Sequence, residues 1–204
     1  MALYFTADTH FGHDAIRTLA DRPFDSLEAM DNELVLRWNT IVKPGDTVWH
    51  VGDFAHRNSS SIADYRSRLN GTIHLVLGNH DTRITGANEK LFASVQTMAE
   101  VDTVGKTIIL CHYPLREWDK AWRGAWHLHG HVHGRFDEDI YGHSLDVGVD
   151  SHNYQPINLD RISVLLAGRK TPFLRDELRA AQSRLQNEAR RLRFANTPII
   201  EEEP

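Results

Sequence analysis

Five short apolar runs, each ending in residues able to hold a metal, constrain this chain more than any other feature. Leu3-Tyr4-Phe5-Thr6-Ala7 leads to Asp8 and His10, Thr47 to Val51 leads to Gly52-Asp53, and Ile73 to Leu77 leads to Gly78-Asn79-His80-Asp81. Thr107 to Cys111 leads to His112, and Ala125 to Leu128 leads to His129-Gly130-His131-Val132-His133. Short apolar runs bounded by turn formers read as buried strands. One Gly-Asn-His-Asp tetrapeptide alone is an ordinary turn. Five such endings on one sheet edge bring carboxylates, an amide and imidazoles together, and the carboxyl edge of an open α/β sheet is where ligands bind.

The segments between the runs supply helices. One is predicted from Asp14 to Ala20, closed by Pro23. Asp25-Ser26-Leu27-Glu28 has capping-box spacing, and Leu27, Met30, Leu34, Trp38 and Ile41 follow on one helical face. A third helix, Ser61 to Leu69, turns Ile62, Tyr65 and Leu69 inward and stops at Asn70-Gly71. Strand, helix, strand, helix, strand implies α/β architecture with a parallel sheet and right-handed crossovers. Beyond it, Asn88 is expected to cap a helix reaching Val95, and Val101 to Val104 with Thr107 to Cys111 reads as a hairpin about Gly105-Lys106, making the second half mixed. Trp118, Trp122 and Trp126 recur every four residues and read as one buried helical face, with Arg116 and Trp118 as candidates for the rim of the site. Ser144 to Val149 forms a late strand ending at Asp150.

From Thr171 the pattern becomes a charged helix with Leu178, Leu185 and Leu192 seven apart, too few heptads for a coiled coil. The expected organisation is therefore one domain over 1–168 and a helical extension over 169–204, packed on the domain or at a homodimer contact. Its arginines are interleaved with Asp176, Glu177 and Glu188, as on a solvated face, and Glu201 to Pro204 is expected to fray.

Composition narrows the function classes. A net charge of -5 argues against a surface built wholly for nucleic acid or anionic membrane, while a local positive site stays open. The single cysteine, Cys111, lies in a strand-like run and excludes an internal disulfide framework. With no signal-like N-terminus and no stretch of membrane-span length, a cytoplasmic protein that does not enter the membrane is expected. Histidine is over-used at 13 residues, several between His127 and His143, and His-rich tracts commonly mean metal.

Taken in order, Asp8-x-His10, Gly52-Asp53, Gly78-Asn79-His80-Asp81, the lone His112 and Gly130-His131-x-His133 resemble the calcineurin-like metallophosphoesterases. Phe5 to His13, His112-Tyr113-Pro114-Leu115 and Gly148-Val149-Asp150 resemble the compact bacterial and phage members. The resemblance implies mixed sheets in a sandwich flanked by helices, with a βαβαβ core and a dinuclear metal site at the strand ends. It assigns Asp8, His10 and His133 to one ion, Asn79, His112 and His131 to the other, and Asp53 to both. His80 is implied as the general acid facing substrate, with Asp81 beside it to orient or charge it; His13 is a candidate contact to substrate phosphate. His56 departs from the Asp or Asn of many relatives, and His129 and His143 are expected to make structural hydrogen bonds.

The implied chemistry is hydrolysis of a phosphodiester or phosphomonoester of small or nucleotide type by direct attack of a water activated between two divalent ions. The mixed ligand set suits Mn, Fe, Zn, Co or Ni, and Mn is the expected activator. Three alternatives differ in what they require. A nuclease of the same superfamily would want a basic, aromatic strand-binding surface, which the sequence does not display. A metal-free interaction scaffold would have lost ligands, and a metal-storage or sensing module would have no use for His80.

Overall fold

A computed structural model of the chain describes residues 1–56, 62–103, 105–136, 142–169 and 175–195. The chain opens with β1 (Leu3–Thr6) and α1 (Ile16–Leu19), followed by α2 (Leu27–Ile41), β2 (Thr47–Val51), α3 (Ile62–Ser67) and β3 (Thr72–Val76). The three strands pair in parallel, β1 with β2 and β2 with β3, as the alternation of elements predicted. α2 starts one residue later than an Asp25 cap would place it, because Ser26 supplies the side chain that accepts from the Ala29 amide. Met30, Leu34 and Trp38 are its buried stripe.

The helix predicted from Asn88 to Val95 does not form. Asn88 makes no side-chain cap, and Glu89–Leu91 is a single 3-10 turn. Phe92 then turns extended and packs edge-on against Phe54, which delivers Val95 to β4 (Ser94–Gln96), parallel to β3. Pairing at the sheet edge overrides local helix propensity here.

β5 (Met98–Thr103) and β6 (Lys106–Cys111) form the expected antiparallel hairpin, and β7 (Trp126–His129) and β8 (Ser144–Asp146) extend that sheet in parallel, in the order β5-β6-β7-β8. The three tryptophans do not share a helix. Between left-handed Lys120 and Gly124 there is only the 3-10 turn Ala121–Arg123, and Trp126 already belongs to β7. Trp118 and Trp126 are nonetheless buried, in separate clusters.

β9 (Ile157–Asn158) returns antiparallel to β1 and completes the first sheet, ordered β4-β3-β2-β1-β9. It leads into α4 (Leu159–Leu166), an element absent from the sequence reading although Asn158 caps it through the Arg161 amide. The last element is α5 (Arg175–Ala195). Its described positions from 182 to 191 are exposed, Leu185 at 67%. Ser61, Val104, 171–174 and Glu201 to Pro204, on which sequence expectations also fell, lie outside the described residues. No helix among the described residues is long and apolar enough to cross a membrane.

Strand alternation splits the core in two. Val48, Ile73 and Leu75 face α2 and α3 with Met30, Leu34 and Trp38, while Phe5, Val51 and Val76 face Ile108, Leu110 and Leu128 of the second sheet. A sheet covered on both faces needs near-continuous apolar strands, which is why these runs stand out in the sequence. The same packing holds the two sheets in one sandwich, their polar residues left for the strand ends.

Candidate metal centre

The carboxyl ends of β1, β2, β3, β6 and β7 deliver the predicted ligands to one place. His10 Nε2 lies 3.5 Å from Asp53 Oδ2 and 3.9 Å from Asp8 Oδ1. His112 Nε2 lies 3.3 Å from the same Asp53 oxygen and 3.3 Å from Asn79 Oδ1. Donor atoms of Asp8, His10 and His133 form one group within 4.8 Å of one another, and those of Asp53, His112 and His131 form a second. Nitrogen and oxygen ligands about 2.0 to 2.2 Å from a shared ion stand roughly this far apart. Asp53, between His10 and His112, is placed to bridge.

The backbone is strained where these ligands sit. Of the nine described non-glycine residues at positive φ, five are Asp8, His10, Asp53, His131 and His133. Such conformations cost of order 1 kcal/mol or more each and persist where surrounding contacts over-determine them. The contacts are visible: the Asp8 amide donates to the Gly52 carbonyl, the His10 amide to the Asp53 carbonyl, and the His131 amide to Asp8 Oδ2. Two glycines are dictated by space. A Cβ on Gly78 would stand 2.3 Å from Asp53 Oδ1, and one on Gly130 would stand 2.4 Å from Asp8 Oδ2.

The electrostatics fit a dication. Asp8 Oδ1 and His10 Nε2 are buried without a hydrogen-bond partner, an expensive arrangement unless a ligand completes it. Burial pushes the Asp8 carboxyl up to about 7 against the pull of His112 and His133. Burial also raises Asp53, but the hydrogen bond and charge of His112, with His10 and the His80 amide, hold it well below the usual carboxylate range. Burial lowers His112, yet Asp53 and Asp8 bring it up to about 9. Among the protein groups alone, a proton on His112 thus offsets Asp53, the position a metal ion would take. Nδ1 of His112 donates to the Val51 carbonyl at 2.9 Å and turns Nε2 inward.

Five supporting side chains lie outside the ligand pattern. Arg22, with a fully buried side chain, grips both oxygens of Asp150 and donates to the Asp8 and Thr9 carbonyls. Asp150 in turn accepts from His133 Nδ1 at 2.6 Å. Thr9 gives its hydroxyl proton to the Phe54 carbonyl, so His50 Nε2, 2.9 Å away, must donate to Thr9 and pins the loop between Asp8 and His10. Asp146 accepts from the Gly134 and Gly148 amides beside the His133 turn. Only Asp150 carried a sequence signal, in Gly148-Val149-Asp150, and it named no role.

Asp81 is in the centre but not where adjacency suggested. Its carboxylate accepts from the amides of Asp53, Phe54 and Gly78, so it braces the bridging residue instead of orienting the His80 ring. His80 donates its amide to Asp53 Oδ1 at 2.8 Å, and its half-buried ring lies 5.0 Å from His10 and 5.4 Å from His13. His13 sits behind His10, Nδ1 to Nδ1 3.3 Å, and stacks on His56 at 4.1 Å. Arg116 is exposed beyond Tyr113. Trp118 is buried against Ile109 and Ala125 with its indole donating to the Ala125 carbonyl, which places it in the core and not at a substrate rim.

The remaining histidines are largely structural. His127 donates from Nδ1 to the Ile109 carbonyl and accepts the Leu115 amide, and buried His129 donates to the Gly130 carbonyl. His143 makes its hydrogen bond to the Arg169 backbone, while its Nδ1 is buried without a partner.

Comparison with known proteins places the chain in a family. The calcineurin-like phosphoesterase superfamily domain matches residues 1–149, and the chain belongs to that family. It is 30% identical over 170 residues to an uncharacterized protein of Methanocaldococcus jannaschii, covering 80% of this chain and 90% of that one. It is 32% identical over 133 residues to the gene 66 protein of Mycobacterium phage L5, covering 54% of this chain and 62% of the phage protein. A crystal structure of a protein of unknown function from Aquifex aeolicus superposes with a TM-score of 0.63 at 26% identity, covering 80% of this chain and 98% of the other.

Proposed function

We propose that this chain hydrolyses phosphate esters of small or nucleotide type, using two divalent ions, with Mn the activating ion, held by Asp8, His10, Asp53, Asn79, His112, His131 and His133. The observation that carries the reading is the placement of His80. Its amide donates to Asp53, and its half-buried ring stands 5.0 Å from His10, apart from the Asp8–His10–His133 and Asp53–His112–His131 groups although near enough to His10 and His13 to form a third with them. Bound ions would supply Lewis acidity, lowering the pKa of a water towards roughly 7 and stabilising charge on phosphoryl oxygens.

The chain's own residues do the rest. His80 gives its proton to the leaving oxygen as the phosphorus–oxygen bond breaks and water bonds to phosphorus, and the proton lost by water restores His80. Asp81 and Arg22 keep Asp53, Asp8 and His133 fixed while this happens. Asp8 and Asp53 would hold the ions, and two dications against their two carboxylates would leave the site net positive for an anionic ester despite the overall charge of -5.

The test is turnover of bis(4-nitrophenyl) phosphate and of 4-nitrophenyl phosphate by stripped protein reconstituted with Mn. Metal-dependent release of nitrophenol from either is expected. Protein holding two ions per chain and cleaving neither ester overturns the reading.

A further inference from the structure

We propose that Tyr113 is a stacking platform for an aromatic substituent retained on phosphorus, so that the preferred substrate is a diester carrying a nucleobase-like ring; this rests on the hydrolase reading above. Tyr113 is 45% exposed, although it directly follows the buried ligand candidate His112. Its ring lies 4.8 Å from His131 and 5.2 Å from His112, nearly edge-on to both at 68° and 71°. Two imidazoles of the second ligand group therefore pack against the phenol, which keeps nearly half of the residue exposed.

The platform is rigid. Upstream, His112 is fixed to the Val51 carbonyl; downstream, the Leu115 amide donates to His127 at 3.0 Å and Leu115 packs on Trp118 and its neighbours. A pre-ordered aromatic ring loses little entropy on stacking. The ring of His80, the proton donor of that reading, adjoins His10 of the first ligand group, with 5.0 Å between centroids. The leaving oxygen is thus assigned to the His80 side, and a second ester substituent, which a monoester lacks, to the Tyr113 side. A base stacked on an aromatic side chain gains about five- to 150-fold in affinity, with little regard to which base it is.

Binding and turnover test this separately. Mn-loaded wild type, Tyr113→Ala and Tyr113→Phe are titrated with thymidine 5′-monophosphate and with inorganic phosphate by calorimetry. The ratio of nucleotide to phosphate affinity is expected to fall about ten-fold in Tyr113→Ala and to hold in Tyr113→Phe. An unchanged ratio in Tyr113→Ala, or an equal fall in Tyr113→Phe, overturns the platform. For turnover, thymidine 5′-(4-nitrophenyl phosphate) and methyl 4-nitrophenyl phosphate share a leaving group, and the ratio of their kcat/KM values should drop about ten-fold in Tyr113→Ala. If the binding ratio shifts but neither ester is cleaved, the hydrolase reading fails and the platform stands; if both esters are cleaved and neither ratio shifts, the platform fails alone.

Discussion

Asp150 accepts the Nδ1 proton of His133 at 2.6 Å while Arg22 holds both of its carboxylate oxygens, at 2.8 and 2.9 Å. Because the same guanidinium donates to the Asp8 and Thr9 carbonyls, one buried cation locks two candidate ligands of the first group, Asp8 and His133, in place. Carboxylate partners of ligating histidines are typically worth about 10- to 100-fold in metal affinity. Asp150→Asn, which cannot satisfy both Arg22 and His133, should weaken Mn binding by that factor. Arg22→Met leaves the carboxylate buried without its cation and should cost about 3 to 5 kcal/mol of stability. Mn titration and thermal unfolding read the two effects, and wild-type affinity in Asp150→Asn would show that His133 needs no such partner.

Under the proposed function, substitutions at His80 and Asp53 should separate catalysis from metal binding. His80→Ala removes a proton donor that is not tied to the bridging oxygens except through its amide, which alanine retains. It should keep two ions per chain and lose about 10²- to 10⁴-fold in kcat on esters with poor leaving groups. Asp53→Asn removes the shared carboxylate and should lose both metal and activity. Metal content measured beside kinetics decides it; a fully active His80→Ala protein sinks the assigned role.

The clustering of the candidate ligands was legible in the sequence because parallel strands buried on both faces must be apolar runs, and each candidate follows its run at a short offset. Asp8, Asp53, Asn79, His112 and His131 could be read that way. Arg22 could not: its partner Asp150 is 128 residues distant, and no periodicity marks a guanidinium that turns inward. Asp81 was misread for a related reason. Adjacency in Gly78-Asn79-His80-Asp81 suggested an effect on His80, but the turn sends the carboxylate back to amides of the Asp53 loop. β4 and α4 escaped because a three-residue edge strand and a two-turn helix carry too little pattern to outweigh their neighbours.

Asp81→Asn tests that correction. An amide in place of the carboxylate presents an N–H₂ where the chain supplies only donors, from Asp53, Phe54 and Gly78. Leaving a buried donor unpaired costs about 1 to 3 kcal/mol. The variant should unfold at lower temperature and bind Mn more weakly, through a displaced Asp53. Normal stability and normal Mn affinity with altered kinetics alone would return Asp81 to a role at His80.

The metal-free protein should lose stability as pH rises towards 9, and metal should restore it. Asp8, raised by burial to about 7, favours folding while protonated; that contribution is complete below its ordinary range and is lost as pH passes 7. His112, raised to about 9 by Asp53 and Asp8 against the effect of burial, contributes fully below its ordinary value of 6.5 and loses its contribution as pH passes 9. Both protons sit where a dication would bind, so Mn competes with them, and each proton it displaces makes binding stronger by about 1.4 kcal/mol per pH unit. The rise in unfolding temperature on adding Mn should therefore grow steadily from pH 6 to pH 9. Differential scanning with and without Mn across that range measures it, and a shift independent of pH would mean that these protons are not what the metal replaces.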